Sequence, residues 1–127
     1  MRSLLLLVIA SVVLISMLAG CSGEPAIYRE PDEVITVKVN QEFIIATDTN
    51  PPTGYMWTAT VDESMLELLS ATIESRKVEI REEEQTVLEQ HFRCRALKKG
   101  NTEVQLALRG PDVIYVWAEK TFRVEIR

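Results

Sequence analysis

His91 is the single histidine of the chain, and Cys94 is one of its two cysteines. An imidazole beside a thiol is the pairing that would make a cysteine nucleophile. The two lie three residues apart in His91-Phe92-Arg93-Cys94-Arg95. An alternating pattern of this kind is a strand, and a three-residue offset on a strand puts the side chains on opposite faces. Cys94 therefore reads as a small buried hydrophobe. One histidine also cannot serve a Ser-His-Asp set from an outward strand face, and one histidine with one free thiol cannot hold a zinc ion. Arg81-Glu82-Glu83-Glu84 concentrates charge but lacks the Asp/Asn and glycine spacing of a calcium loop. It reads as a solvated loop. There is no glycine-rich phosphate loop. The residues call for no metal or cofactor and support no enzyme reading.

What remains is Asn50-Pro51-Pro52-Thr53-Gly54-Tyr55-Met56-Trp57. A plain hairpin needs only two turn residues. Here two prolines fix their own φ and hold the preceding residues, Asn50 and Pro51, to extended angles. Such a loop has little freedom to lose on binding a partner. Gly54 permits positive φ and a close backbone approach. Tyr55 and Trp57 share a face, Trp57 in the core and Tyr55 at its rim. A stiff loop that only restricts the unfolded chain is the alternative use of the same residues.

The elements that must hold this loop have a period of two. Strands are expected at 34–39, 42–47, 55–61, 70–80, 85–97, 102–109 and 120–127. Ile35, Val37, Phe43, Ile45, Leu88, Phe92, Cys94, Ala96, Val104, Leu106, Leu108, Phe122, Val124 and Ile126 are expected inward. Glu89, His91, Arg93 and Arg95 are expected outward. Asp62 or Ser64 caps a short helical turn over the apolar run at 65–69. Seven or eight strands with one such turn predict an all-β, immunoglobulin-like sandwich, with a closed barrel as runner-up.

The first twenty residues stand apart from the fold. Arg2 precedes an apolar run from Leu4 to Ala19, a secretory signal in type and short for a spanning helix. Leu18-Ala19-Gly20-Cys21 follows and resembles the lipobox of prokaryotic lipoproteins. Cleavage would leave Cys21 as an acylated N-terminus, and its acyl chains would hold the chain to a membrane. The alternative is an uncleaved anchor with a chance cysteine. Residues 21–32 read as a polar tether and 33–127 as one domain. Losing Arg2 from 14 basic residues leaves 13 against 19 acidic, a net charge of −6. An acidic domain without a basic patch excludes a nucleic-acid partner. With Cys21 lipidated, no internal disulfide is available.

Asn50 to Trp57 resembles the N-P-T-T-G-Y/F-x-W signature of the chagasin-like inhibitors of papain-family cysteine peptidases. The likeness extends from Glu33 to Arg127, through His91-to-Leu108 and the ending Lys120-Thr121-Phe122-Arg123-Val124-Glu125-Ile126. It implies an immunoglobulin-like sandwich with a three-loop wedge at one end. It also implies that Asn50, Pro51, Pro52, Thr53, Gly54 and Tyr55 enter a peptidase cleft. Flanking contacts would come from Arg81, Glu82, Glu83 and Glu84, and from Arg109, Gly110, Pro111, Tyr115 and Trp117. The chain departs from the family pattern at both flanks. The first lacks the family's glycines. The last has Arg109-Gly110-Pro111-Asp112 in place of Arg-Pro-Trp, leaving Tyr115 or Trp117 to supply the aromatic, unless Trp117 is a core residue. The resulting expectation is a monomeric, extracytoplasmic lipoprotein, at the cell surface or in the periplasm, that inhibits papain-like cysteine peptidases. A non-inhibitory binding module on the same fold is the alternative.

Overall fold

The computed structural model describes residues 23–112 and 114–127. The signal segment and Cys21 lie outside the described residues. Eight strands form: β1 (Ala26–Tyr28), β2 (Ile35–Val37), β3 (Glu42–Thr49), β4 (Met56–Val61), β5 (Leu66–Ile80), β6 (Glu83–Ala96), β7 (Gly100–Arg109) and β8 (Val116–Ile126). They make two four-stranded sheets, ordered β1-β3-β6-β5 and β2-β8-β7-β4. The sheets face each other as an immunoglobulin-like β-sandwich.

The alternation in the sequence explains the packing. Phe43 and Ile45 of β3 meet Phe92, Cys94 and Ala96 of β6. Across the sandwich lie Ile35, Val37, Val104, Leu106, Phe122, Val124 and Ile126, all buried. Leu88 has the expected facing but is exposed, because it sits where β6 runs past the end of the opposing sheet. Cys94 is fully buried, and loss of solvation pushes its thiol up to about 12. It is a packed hydrophobe with no thiolate at neutral pH.

Three features differ from the sequence expectation. The stretch assigned to a tether contains β1, which pairs in parallel with β3 (Ala26 opposite Phe43, Tyr28 opposite Ile45). Tyr28 packs edge-on against Phe43 at 6.5 Å. The apolar run after Asp62 is not helical beyond a single turn. Met65 and Leu66 N–H both donate to Asp62 O, and Asp62 Oδ1 accepts from Ser64 N and Oγ. Leu66 then enters β5, because antiparallel pairing with β6 offers a bond to each second residue that one isolated turn does not. Glu89 points outward as expected, yet it is only 1 % exposed.

Arg29 and Arg76 cover Glu89. Arg29 Nε and Nη2 donate to its two carboxylate oxygens at 2.9 and 3.2 Å, and Arg76 Nε lies at 3.1 Å. His91 Nε2 is 3.3 Å away. The Arg29 hydrogen bonds outweigh desolvation and, with His91 and the two arginine charges, hold the Glu89 carboxyl down at about 2. This cluster joins β1, β5 and β6 on the outer face of their sheet.

Candidate functional site

Register places three loops at one end of the sandwich. Thr49 at the end of β3 is opposite Leu88, Met56 at the start of β4 is opposite Arg109, and Arg109 is opposite Val116. The β3–β4, β5–β6 and β7–β8 connections therefore all emerge together.

The central β3–β4 loop is tied to itself. Asn50 bridges Tyr55 across its base. Pro51–Thr53 form a 3-10 turn with both prolines at its start. Asn50 is extended, with φ −135° and ψ 81°, as a residue before proline should be. Pro51 is helical rather than extended, because closing the turn satisfies more backbone groups. Asn50 O accepts from Thr53 N at 3.1 Å and Thr53 Oγ1 at 2.7 Å, and Pro51 O accepts from Gly54 N at 3.0 Å. This 3-10 turn is separate from the one expected over 65–69, which is reduced to the single turn closed at Asp62 O. Gly54 takes the left-handed conformation at φ +80°. Thr53 Oγ1 also accepts from Tyr55 N at 3.3 Å.

Below the loop, Trp57 is the anchor. Its indole N–H donates to Asp48 O at 3.0 Å. Its own N–H and C=O bond to the Gln90 side chain at 2.8 and 3.0 Å. Gln90 belongs to the other sheet, so one buried amide clips the sheets together at the loop's root. Sequence reasoning missed Gln90. The signal was a polar residue at an inward position, two before Phe92. Lys120 completes the support: its Nζ lies 5.1 Å from the Trp57 ring centroid and donates to Thr47 Oγ1 at 2.9 Å.

The β7–β8 loop braces the central one. A Cβ built on Gly54 would come within 2.8 Å of Pro111 Cγ. One built on Gly110 would stand 3.0 Å from the Tyr55 ring and 3.2 Å from Trp117 Nε1. The Tyr55 and Trp117 rings meet edge-to-face at 5.6 Å and 85°. Gly110 leaves the space into which the two rings close. Trp117 is 63 % exposed at the start of β8 and is not a core residue. With Ile114 (76 %) and Tyr115 (65 %) it presents large apolar groups to solvent, the kind of surface that marks a partner site.

The β5–β6 flank is built differently. Only Arg81 and Glu82 form its turn, both at positive φ (52° and 66°). Ile80 pairs with Glu83 and Glu79 with Glu84, so Glu83 and Glu84 are strand residues rather than loop residues. β6 leaves β3 at Leu88, and the ribbon beyond pairs only with itself. The structure thus brings Asn50–Tyr55, Gly110, Pro111 and Trp117 into one body and sets Arg81–Glu84 on a separate arm.

The family model described as chagasin family peptidase inhibitor I42 matches residues 36–126. The chain belongs to the chagasin family of peptidase inhibitors. Members of the chagasin family are inhibitors, not enzymes. Among the solved structures that share this fold are two of similar size. One is the cysteine protease inhibitor EhICP2 from Entamoeba histolytica, at 22 % identity and a TM-score of 0.62, covering 84 % of this chain and all of that one. The other is the solution structure of amebosin, at 22 % identity and a TM-score of 0.56, covering 83 % of this chain and all of that one. No curated protein sequence matches the chain.

Proposed function

We propose that this chagasin-family chain inhibits papain-like cysteine peptidases by seating the Asn50–Tyr55 loop in the catalytic cleft. The observation that carries the reading is the braced loop pair: Gly54 against Pro111, and Tyr55 against Trp117. A loop already held in one shape loses little entropy on docking. Its exposed tip, Pro52-Thr53-Gly54, is narrow and uncharged. The carbonyls of Asn50 and Pro51 are turned into bonds within the loop, so they are not offered in attack geometry to a thiolate. Inhibition is occlusion without turnover. The naming of EhICP2 as a cysteine protease inhibitor supports the same peptidase class.

The proposal extends to location. Cleavage after Gly20 and lipidation of Cys21 would place the inhibitor outside the cytoplasm on a membrane. Titration of the protein against papain and a cathepsin-L-like enzyme tests the activity, with stoichiometric, reversible inhibition expected. No inhibition across several such enzymes at micromolar protein overturns it. Mass spectrometry of the N-terminal peptide tests the anchor: an acylated Cys21 is expected, and an intact Met1-to-Gly20 leader refutes it.

A further inference from the structure

β5 is the edge strand of its sheet and runs for 15 residues. Among the described residues no strand pairs with its free side, and Ile73 and Ile80 on the arm are nearly half exposed. Long edges of this kind recruit another strand unless charges or bulges block them, and here Glu74, Arg76, Lys77 and Glu79 restrict the edge to particular registers. The two-residue turn makes Ile80–Glu83 the closing hydrogen-bonded pair. Alternation then points the N–H and C=O groups of Ala71, Ile73, Ser75, Lys77 and Glu79 away from β6, to the open edge.

The charges along this edge admit one long self-pairing. For an antiparallel two-fold pair, centring on Glu74 sets Glu74 on Glu74. Centring on Arg76 or Lys77 sets like cations together. Centring on Ile73 drives the pairing into the bulge between Leu68 and Ser70. Centring on Val78 keeps only a few residues paired. Centring on Ser75 uses the strand from Ser70 to Ile80, puts Glu74 opposite Arg76 twice, and puts Thr72 opposite Val78. It also resolves a conflict within the single chain. Glu74 sits directly across from Glu89, a like-charge neighbour that is unfavourable, and makes no ion pair among the described residues.

We propose that, in place of the monomer expected from the sequence, the chain forms a two-fold homodimer through β5, centred on Ser75, with Glu74 of each copy set against Arg76 of the second copy while Arg76 Nε stays on Glu89 of its own chain. The two four-stranded sheets become one eight-stranded sheet. Each arm lies along the body of the other copy, and the two loop ends point in opposite directions. Edge-to-edge growth stops there, because the shared edge is consumed.

Cross-linking of the full chain tests this. Ser75 is exposed, and its copies form a hydrogen-bonded antiparallel pair with Cα atoms about 5.5 Å apart, within disulfide reach. Under mild oxidation Ser75→Cys gives a disulfide dimer on a non-reducing gel, several-fold more than Ile73→Cys, whose position faces Lys77. Adding Glu74→Lys to Ser75→Cys reduces the band several-fold by setting cations together. Co-expressed Ile73→Cys and Lys77→Cys chains cross-link with each other more than either does alone, which holds the test open if one variant folds poorly. Equal bands from Ser75→Cys and Ile73→Cys, or a band indifferent to Glu74→Lys, overturns the dimer.

Discussion

The two flanks of the central loop solve the same positional problem in opposite ways. The β7–β8 flank touches the central loop directly, through Pro111 on Gly54 and Trp117 on Tyr55. Within one chain and among the described residues, the β5–β6 flank pairs with itself beyond Leu88 and is tied to the body at its base, where Arg76 meets Glu89 and Asp48. The first flank fixes the shape of the tip. The second fixes the direction of an arm and leaves its end free. Departures from the family pattern at the two flanks therefore have unequal consequences. Gly110 makes room for Trp117 to close on Tyr55, whereas the charged Arg81-Glu82 turn stands at positive φ on the arm.

The sharpest way to break this contrast is at the braced side. Gly54→Glu is expected to weaken inhibition about 1,000-fold, or ~4 kcal/mol, because the charge falls at the centre of the proposed contact. It also strains a left-handed backbone and collides with Pro111. A loss of about 1–3 kcal/mol in folding stability accompanies it. Thr53→Glu changes the exposed tip without that collision, and it separates the two effects. If Thr53→Glu inhibits normally while Gly54→Glu does not, the loss is one of shape rather than of contact. Inhibition constants and urea melts on the same samples decide it.

Acid probes the other side. Glu89 titrates at about 2 in the folded chain, against 4.5 for an ordinary glutamate. The unfolded chain therefore binds more protons between these values. Stability from this group is complete above about pH 4.5 and is lost as pH falls through 2, about 3 kcal/mol in all. Glu89→Gln is expected to flatten that limb of the stability curve. Hydrogen exchange at pH 3 is expected to loosen the arm at 75–87 before the central loop. Simultaneous loosening of both would show that the flanks are not independent.

Smaller effects refine the picture. Trp117→Ala removes one ring from an edge-to-face pair worth about 1 kcal/mol, so inhibition weakens roughly tenfold or less. Its thermal midpoint falls by a few degrees, since the same pair contributes about 1 kcal/mol to folding. Replacing Arg81-Glu82 by Asn-Gly relieves two non-glycine residues at positive φ. It is expected to raise stability by about 1 kcal/mol or less and to leave inhibition unchanged. A large change in inhibition would make the arm tip a principal contact.

Most of the architecture was written in alternation. Nearly every residue with an inward phase is buried, because period two decides facing directly. What escaped notice depended on partners remote in sequence. β1 is three residues within a polar, proline-bearing stretch, and only β3 makes it a strand. Glu89 has an outward phase, and its cover comes from Arg29 and Arg76. Gln90 looks like a misplaced polar residue until Trp57 is opposite it. At the candidate site, the central loop was legible from its prolines and Gly54. Its bracing was not, since no local pattern brings Trp117 onto Tyr55.

The Gln90 clip has a consequence for engineering. The root of the loop is held by Trp57 and Gln90, and neither belongs to the tip. The Asn50–Tyr55 bridge closes the segment on itself. Residues 51–54 therefore behave as an exchangeable cassette between two fixed posts. A randomised library confined to those four positions would sample new tips on an unchanged frame, with Pro111 as a neighbour that each new residue at position 54 must accommodate.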